Sequence, residues 1–206
     1  MKINYSIITS LLDSDLYKYT MQQLVLANFP TERVSYQFIN RGKNLFPLGF
    51  DRELKTQLQF LSSLSLTNEE KKWLEKIPYF RPWYIEYLSK YKFDFDNITV
   101  HQTDGNLTLN INGKWHSTIL FEVPLMAIIS EIYFQMVGAK LNGDWEKRLE
   151  NKAKNLQDSG CLWSDFGTRR RYSFMIQDRL VEIMKKYSGF IGTSNPHLAI
   201  KHNIKP

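Results

Sequence analysis

Ten residues near the C-terminal quarter, Trp163-Ser164-Asp165-Phe166-Gly167-Thr168-Arg169-Arg170-Arg171-Tyr172, bring aromatic rings, an acid, a glycine and three consecutive arginines together. A short apolar edge entering a helix through a Gly-Thr turn is a place where backbone N–H groups and guanidinium groups can face an anion together. The plain alternative is a solvated basic helix start. Against it, arginine at a helix start opposes the macrodipole, which favours acids there. An aromatic ring and a glycine directly before the run also suit a bound ligand. Three successive side chains cannot all face one ligand, so Arg170 and Arg171 are expected to pair with acids such as Asp178 or Glu182.

A second polar turn, Gly192-Thr193-Ser194-Asn195, follows the short apolar run Phe190-Ile191. Between the two turns lies a helical repeat over about Tyr172 to Tyr187, with Phe174, Gln177 or Asp178, Val181 and Met184 on one side. A last helix starts at Pro196 and is stopped by Asn203. Strand, helix, strand, helix is the pattern of parallel α/β folding, in which ligands bind at the C-terminal strand ends. Both polar turns lie at such ends.

The preceding residues must position this site. Residues 14 to 28 read as a helix capped by Ser14 or Asp13, with Leu16, Thr20, Leu24 and Ala27 on one face; Asp15 is a further candidate cap. A strand from Val34 to Phe38 follows, ending at Asn40-Arg41-Gly42. Three short helices come next: one striped by Phe50, Leu54, Leu58 and Leu61, one with a Thr67/Glu70 capping box, and one opened by Pro82. Trp73, Tyr79, Phe80, Trp83 and Tyr84 are assigned to the core, as aromatics at helical spacing usually are. From Ile98 the period is two, and the turn pairs Asp104-Gly105 and Asn112-Gly113 predict an antiparallel meander of three strands ending near Ile119. Pro124 opens a nearly all-apolar helix, Leu125 to Val137, and a charged helix follows from Trp145 to Gln157.

The chain has 206 residues, 43% of them hydrophobic and 14% aromatic, with a net charge of +6. That composition fits a folded domain with a sizeable core. A pI near 9.2 admits an anionic small substrate or a nucleic-acid partner. The aromatics follow core periods and do not interleave with Lys and Arg on one face, which argues against nucleic acid. One cysteine, Cys161, excludes an internal disulfide and fits a reducing compartment. The N-terminal apolar run is too short and too interrupted for a signal peptide or membrane span. A cytoplasmic protein without membrane contact is expected. His101 and His116 beside the meander, and His197 and His202 on the last helix, are expected to be structural, as no carboxylate stands at triad-like spacing. Cys161 lacks the context of a nucleophile.

Four ordered blocks carry a resemblance: Leu11-Leu12-Asp13-Ser14-Asp15-Leu16-Tyr17-Lys18-Tyr19-Thr20-Met21-Gln22, Leu120-Phe121-Glu122-Val123-Pro124-Leu125, Ser164 to Arg171, and Gly192 to Asn195. Together, and from end to end of the chain, they resemble nicotinate phosphoribosyltransferase. The resemblance implies a homodimer with a shared active site that joins nicotinate to phosphoribosyl pyrophosphate, aided by ATP hydrolysis and Mg2+. It implies a mixed α+β N-terminal domain, residues 1–140, with helices and an antiparallel meander. The first strand-helix units of an incomplete α/β barrel follow, residues 141–206.

By the same resemblance Phe166 supplies one face for the nicotinate ring and Tyr17, from the partner subunit, the other. Arg169 is the catalytic and phosphate-binding guanidinium. Thr168, Ser194 and Asn195 contact ligand or hold the adjoining loop, and Arg41 reaches phosphate across the dimer; no residue is assigned as a metal ligand. The plain alternative for Phe166 is the core. The family's Gly-Thr segment and phosphorylated histidine should begin where the chain ends at Pro206, so the chain is expected to be an N-terminal portion without ATP-coupled activity by itself. Rival readings are a nicotinamide or quinolinate phosphoribosyltransferase, a basic nucleic-acid module, and a non-catalytic paralogue that only dimerises.

Overall fold

The computed structural model describes residues 3–42 and 44–206. The first helix, α1, spans Leu16–Asn28. Its buried face is Lys18, Tyr19, Gln22 and Val25, not the Leu16/Thr20/Leu24/Ala27 stripe that periodicity suggested; Leu24 is 62% exposed. The cause is polar chemistry on the inner side. The Gln22 amide donates to the His116 carbonyl at 2.7 Å and accepts from the Tyr84 hydroxyl at 2.7 Å. Tyr19 donates to the Leu11 carbonyl at 2.6 Å. Hydrogen-bonded polar residues can go inside, which a count of apolar positions misses.

Strand β1 (Arg33–Gln37) is followed by α2 (Phe50–Ser62), α3 (Asn68–Glu75) and α4 (Pro82–Lys90). The stripe Phe50, Leu54, Leu58 and Leu61 is buried, and the Thr67/Glu70 capping box forms in both directions. Phe80 and Tyr84 are core residues, whereas Tyr79 and Trp83 are each 47% exposed.

Strands β2 (Ile98–Thr103) and β3 (Asn106–Lys114) form the expected hairpin, with Asp104 and Gly105 both at positive φ. The third strand is not the one predicted. Asn112 and Gly113 continue β3, pairing antiparallel with Ser35 and Val34 of β1, so the sheet order is β1-β3-β2. Residues Trp115–Thr118 form a helical turn, α5. An Asn-Gly pair supplies the turn only if the next segment can fold back as a strand. Here the β3 edge is already taken by β1, and Gly113 lies close against Thr118.

Helix α6 (Glu122–Met136) is buried on several sides, as its composition required. The run Trp115–Met136 is long and apolar enough to cross a membrane by composition, yet 67% of its most apolar window is covered by the rest of the protein, as in a core helix. After α7 (Trp145–Asp158), strand β4 (Trp163–Asp165) pairs in parallel with β5 (Phe190–Thr193). Between them the arginines do not begin a helix. Thr168–Arg170 is a single 3-10 turn, Arg171 is extended, and Ser173 caps α8 (Phe174–Met184) through the Ile176 N–H. The macrodipole argument therefore does not apply to the arginine run. Helix α9 (Pro196–His202) closes the described chain and is capped by Asn195.

Two outcomes follow from this packing. Gly192 has φ +149° and a Cβ there would overlap the Lys205 carbonyl, so Gly192→Ala should lower stability by about 1–3 kcal/mol in urea unfolding. Asp178 of α8 accepts from Lys201 at 2.7 Å and meets His202 at 2.8 Å on α9. Burial alone would raise its pKa, but those two partners hold it below the usual 3.8. Its contribution is thus complete above pH 3.8 and lost as pH falls through the lower folded value. Asp178→Asn should reduce the loss of stability on acidification, measured as urea midpoints across that range.

Candidate active site

Chain direction at the ends of β4 and β5 brings the two polar turns together. Asp165, the last residue of β4, organises them: one carboxylate oxygen accepts from the Gly167 N–H at 2.9 Å, the other from Gln177 Nε2 at 3.0 Å and Thr193 Oγ1 at 2.8 Å. The Asp165 carbonyl accepts from the Ser194 N–H at 2.8 Å. With the turn pinned from below, Phe166 projects outward, 62% exposed. It is not a core residue.

Phe166 lines a cavity of about 330 Å³ together with Tyr17, Thr20, Tyr79, Ile191 and Ser194. That volume is at the small end of the ~300–1,000 Å³ range of small-molecule sites. Tyr17 reaches this cavity from α1 of the same chain. The link is short: the Leu16 N–H donates to the Ser194 carbonyl at 2.7 Å.

Arg169 does not line that cavity but a second one of about 200 Å³, with Arg170, Asn40, Asn44 and Ser130; its link to the first runs through Asp15, which Ser194 bonds. It is anchored. Its Nη1 donates to Glu122 Oε1 at 2.9 Å, and its Nε is 3.4 Å from Asp15 Oδ2. Burial tends to lower the Arg169 pKa, but the nearby Tyr17 phenol, Asp15 and Glu122 outweigh it and raise it above the ordinary value. Asp15 is fully buried; desolvation raises its pKa, against a 2.6 Å bond from Ser194 Oγ and the charge of Arg169. Asp15 occupies the N-cap position of α1 without making a side-chain cap bond. Its carboxylate is turned to the site instead.

Two residues expected to contact ligand or to hold the adjoining loop are buried and bonded within the protein. Thr168 is fully buried and its hydroxyl accepts from Gln177 at 3.0 Å and Asn195 at 3.1 Å. Asn195, also fully buried, caps α9 and donates to Asp13 at 2.7 Å. Ser194 lines the cavity, but its hydroxyl serves Asp15. Arg41 is exposed in the loop after β1 and lines neither cavity.

Arg171 pairs with neither Asp178 nor Glu182. It is buried in a bidentate bond to Asp13 (2.8 and 3.0 Å), with Glu131 3.7 Å from its Nε. Glu182 pairs with Arg179, and Arg170 is in no ion pair among the described residues. His202 does have a carboxylate neighbour, Asp178, supplied by tertiary packing. Among the described residues no group of three His, Cys, Asp or Glu side chains is arranged to hold a metal ion.

Sequence reasoning missed Lys18, Asp13, Asp165, Gln177 and the role of Glu122. All but Gln177 lie inside the blocks that carried the resemblance. The only local signal was acids and amides crowded among apolar residues.

Residues 12–130 match the model of the nicotinate phosphoribosyltransferase N-terminal domain, and residues 161–206 that of the nicotinate phosphoribosyltransferase family. The chain belongs to the nicotinate phosphoribosyltransferase family. It is 43% identical over 202 residues to the enzyme of that name from Chromohalobacter salexigens, covering 96% of this chain and 52% of the relative. It is 46% identical over 204 residues to the one from Desulforapulum autotrophicum, covering 97% and 52%. The crystal structure of nicotinate phosphoribosyltransferase from Porphyromonas gingivalis superposes with a TM-score of 0.91 at 35% identity, covering 97% of this chain and 52% of the other. A putative nicotinate phosphoribosyltransferase from Saccharomyces cerevisiae superposes equally well, TM-score 0.91 at 36% identity, covering 98% and 54%. The chain thus spans about half the length of the relatives it matches.

The network around Arg171 makes a separable prediction for the arginine run. Arg171→Met leaves Asp13 and Glu131 buried without their cation and should cost about 3–5 kcal/mol in urea unfolding. Arg170→Met, at an exposed position, should leave stability within about 0.5 kcal/mol.

Proposed function

We propose that the protein carrying this chain transfers a phosphoribosyl group from phosphoribosyl pyrophosphate to nicotinate, giving nicotinate mononucleotide and pyrophosphate. The observation that carries the reading is that Tyr17 and Phe166 line one cavity, joined through Ser194 and Asp15 to the anchored Arg169. Nicotinate is a flat, electron-poor ring bearing one carboxylate, and its ring suits two aromatic faces. In the transfer, the bond from the ribose anomeric carbon to the pyrophosphate oxygen breaks. The pyridine nitrogen lone pair forms the new bond, and no proton need move.

Positive charge develops on the ribose while negative charge leaves with pyrophosphate. The protein's part is to hold the reactants in line and meet the departing charge. Arg169, with its Nη1 on Glu122 and its Nε beside Asp15, keeps further N–H groups for phosphate oxygens. Phe166 and Tyr17 would hold the ring, and Ser194, through Asp15, would hold the guanidinium. Thr168 and Asn195 would act by fixing the turn that carries Phe166.

ATP hydrolysis, Mg2+, a homodimer and a cytoplasmic setting enter the proposal through the family. The acids nearest Arg169 are engaged by cations or by Ser194, so they do not fit a protein-built metal site, and no step here runs through one. Mg2+ commonly keeps several waters and is held largely by substrate phosphates. The α+β division at about residue 140 draws support from the separate matches to residues 12–130 and 161–206, and the reading of β4-α8-β5-α9 as the first units of an incomplete α/β barrel from the parallel pairing of β4 with β5.

Three measurements test the proposal. The gene product should form nicotinate mononucleotide from nicotinate and phosphoribosyl pyrophosphate. In competition it should prefer nicotinate to nicotinamide, which lacks the carboxylate, and to quinolinate, which carries two. Phe166→Ala should raise the KM for nicotinate about tenfold, the scale of one lost aromatic contact with its buried area. A preference for either rival ring, or an unchanged KM, would overturn the assignment.

A further inference from the structure

Lys18 is a misplaced charge by local rules. It lies in the first turn of α1, where the macrodipole disfavours cations, and no acid accompanies it there. Its side chain is only 6% exposed, and an ammonium so buried needs a partner. That partner is Glu122, the first residue of α6. One Glu122 oxygen takes the Lys18 ammonium and the other takes Arg169 Nη1 at 2.9 Å. A single carboxylate therefore bridges two cations that stand 104 residues before it and 47 residues after it.

On the far side Asp15 lies 3.4 Å from Arg169 Nε, itself held by Ser194 Oγ at 2.6 Å. Two cations and two carboxylates balance. Lys18 is also 5.2 Å from the Tyr17 ring centroid, so the same set of contacts abuts a ring that lines the cavity.

We propose that Glu122 is a positioning residue that fixes the plane of the Arg169 guanidinium for its phosphate-bearing substrate, with Lys18 fixing Glu122 in turn. This rests on the phosphoribosyl-transfer reading above. An arginine free on its stem loses rotamer entropy when it meets a ligand; one held at Nη1 and beside Nε has lost most of it already. Because Glu122 acts through Arg169, its effect should vanish when Arg169 is gone, a non-additivity that a general support of the fold would not produce.

The test is a double-mutant cycle on the full gene product. Glu122→Gln should lower kcat/KM for phosphoribosyl pyrophosphate about tenfold or more, as expected for one lost charge-assisted bond. The KM for nicotinate should change less than about twofold, since the ring contacts remain. On an Arg169→Ala background the same substitution should have no further effect. An additive effect, or an equal loss for both substrates, would overturn the proposal.

A readout without turnover separates this from failure of the functional reading. In spectra of arginine-labelled protein, the Arg169 Nε–H signal, identified by its loss in Arg169→Ala, should show slow side-chain rotation that Glu122→Gln speeds. Unchanged rotation would overturn the anchor whatever the protein catalyses. If Glu122→Gln does not fold, Lys18→Gln takes its place in both measurements, with a smaller effect in the same direction; no effect there would count equally against the proposal.

Discussion

The bidentate pair between Arg171 and Asp13 is the contact on which the two halves of the chain depend. It joins the loop before α1 to the segment between the 3-10 turn and α8, 158 residues apart. Both side chains are almost completely buried, and such a pair leans on further hydrogen bonds to its remaining donors and acceptors; only the Arg171 Nε, 3.7 Å from Glu131, makes none. Asp13 takes a further bond from Asn195, and Arg171 reaches the Ile7 carbonyl at 3.3 Å. Glu131 accepts from the Phe174 N–H at the start of α8, and desolvation raises its pKa although Arg171 opposes it. Helix α6, the N-terminal loop and the β4-β5 unit are thereby held in one register.

The candidate site inherits its precision from that network. Gln177 touches Asp165, Thr168 and Arg171 at once, and Asn195 touches Asp13 and Thr168. The turn carrying Phe166 and the turn carrying Ser194 are consequently parts of one hydrogen-bonded layer. Above that layer the polar groups are few and differently engaged: Arg169 with Glu122 and Asp15, and Lys18 with Glu122. A buried, hydrogen-bonded layer beneath a half-exposed charged one is how a scaffold holds side chains that face a ligand.

The three arginines show how far local rules reach. Three successive side chains were expected not to face one ligand together, with Arg170 and Arg171 pairing with acids. Their fates separated by burial: Arg171 is enclosed, Arg169 is half-exposed and bridged, and Arg170 faces solvent. The expected partners Asp178 and Glu182 were near in sequence, but α8 begins only at Phe174, so the helical spacing that would have joined them to Arg170 and Arg171 does not exist. The inner face of α1 and the supposed turn at Asn112-Gly113 failed for a related reason. In each case a distant segment, Tyr84 and His116 for α1 and strand β1 for Gly113, supplied a partner that no local window contains.

From the sequence by itself came the α2 and α6 stripes, the Thr67/Glu70 and Pro82 helix starts, the Asp104-Gly105 hairpin, the β4-α8-β5-α9 order and the family, because each rests on residues within a few positions of one another or on ordered motifs. Tertiary structure alone decided that Thr168 and Asn195 are buried and hydrogen-bonded to each other, that Tyr17 and Phe166 line one cavity within a chain, and that Glu122 links Lys18 to Arg169. Those outcomes turn on which polar groups meet inside the protein. Desolvation makes an unmatched group costly there, and only the folded chain shows which partner across 100 residues or more has met it.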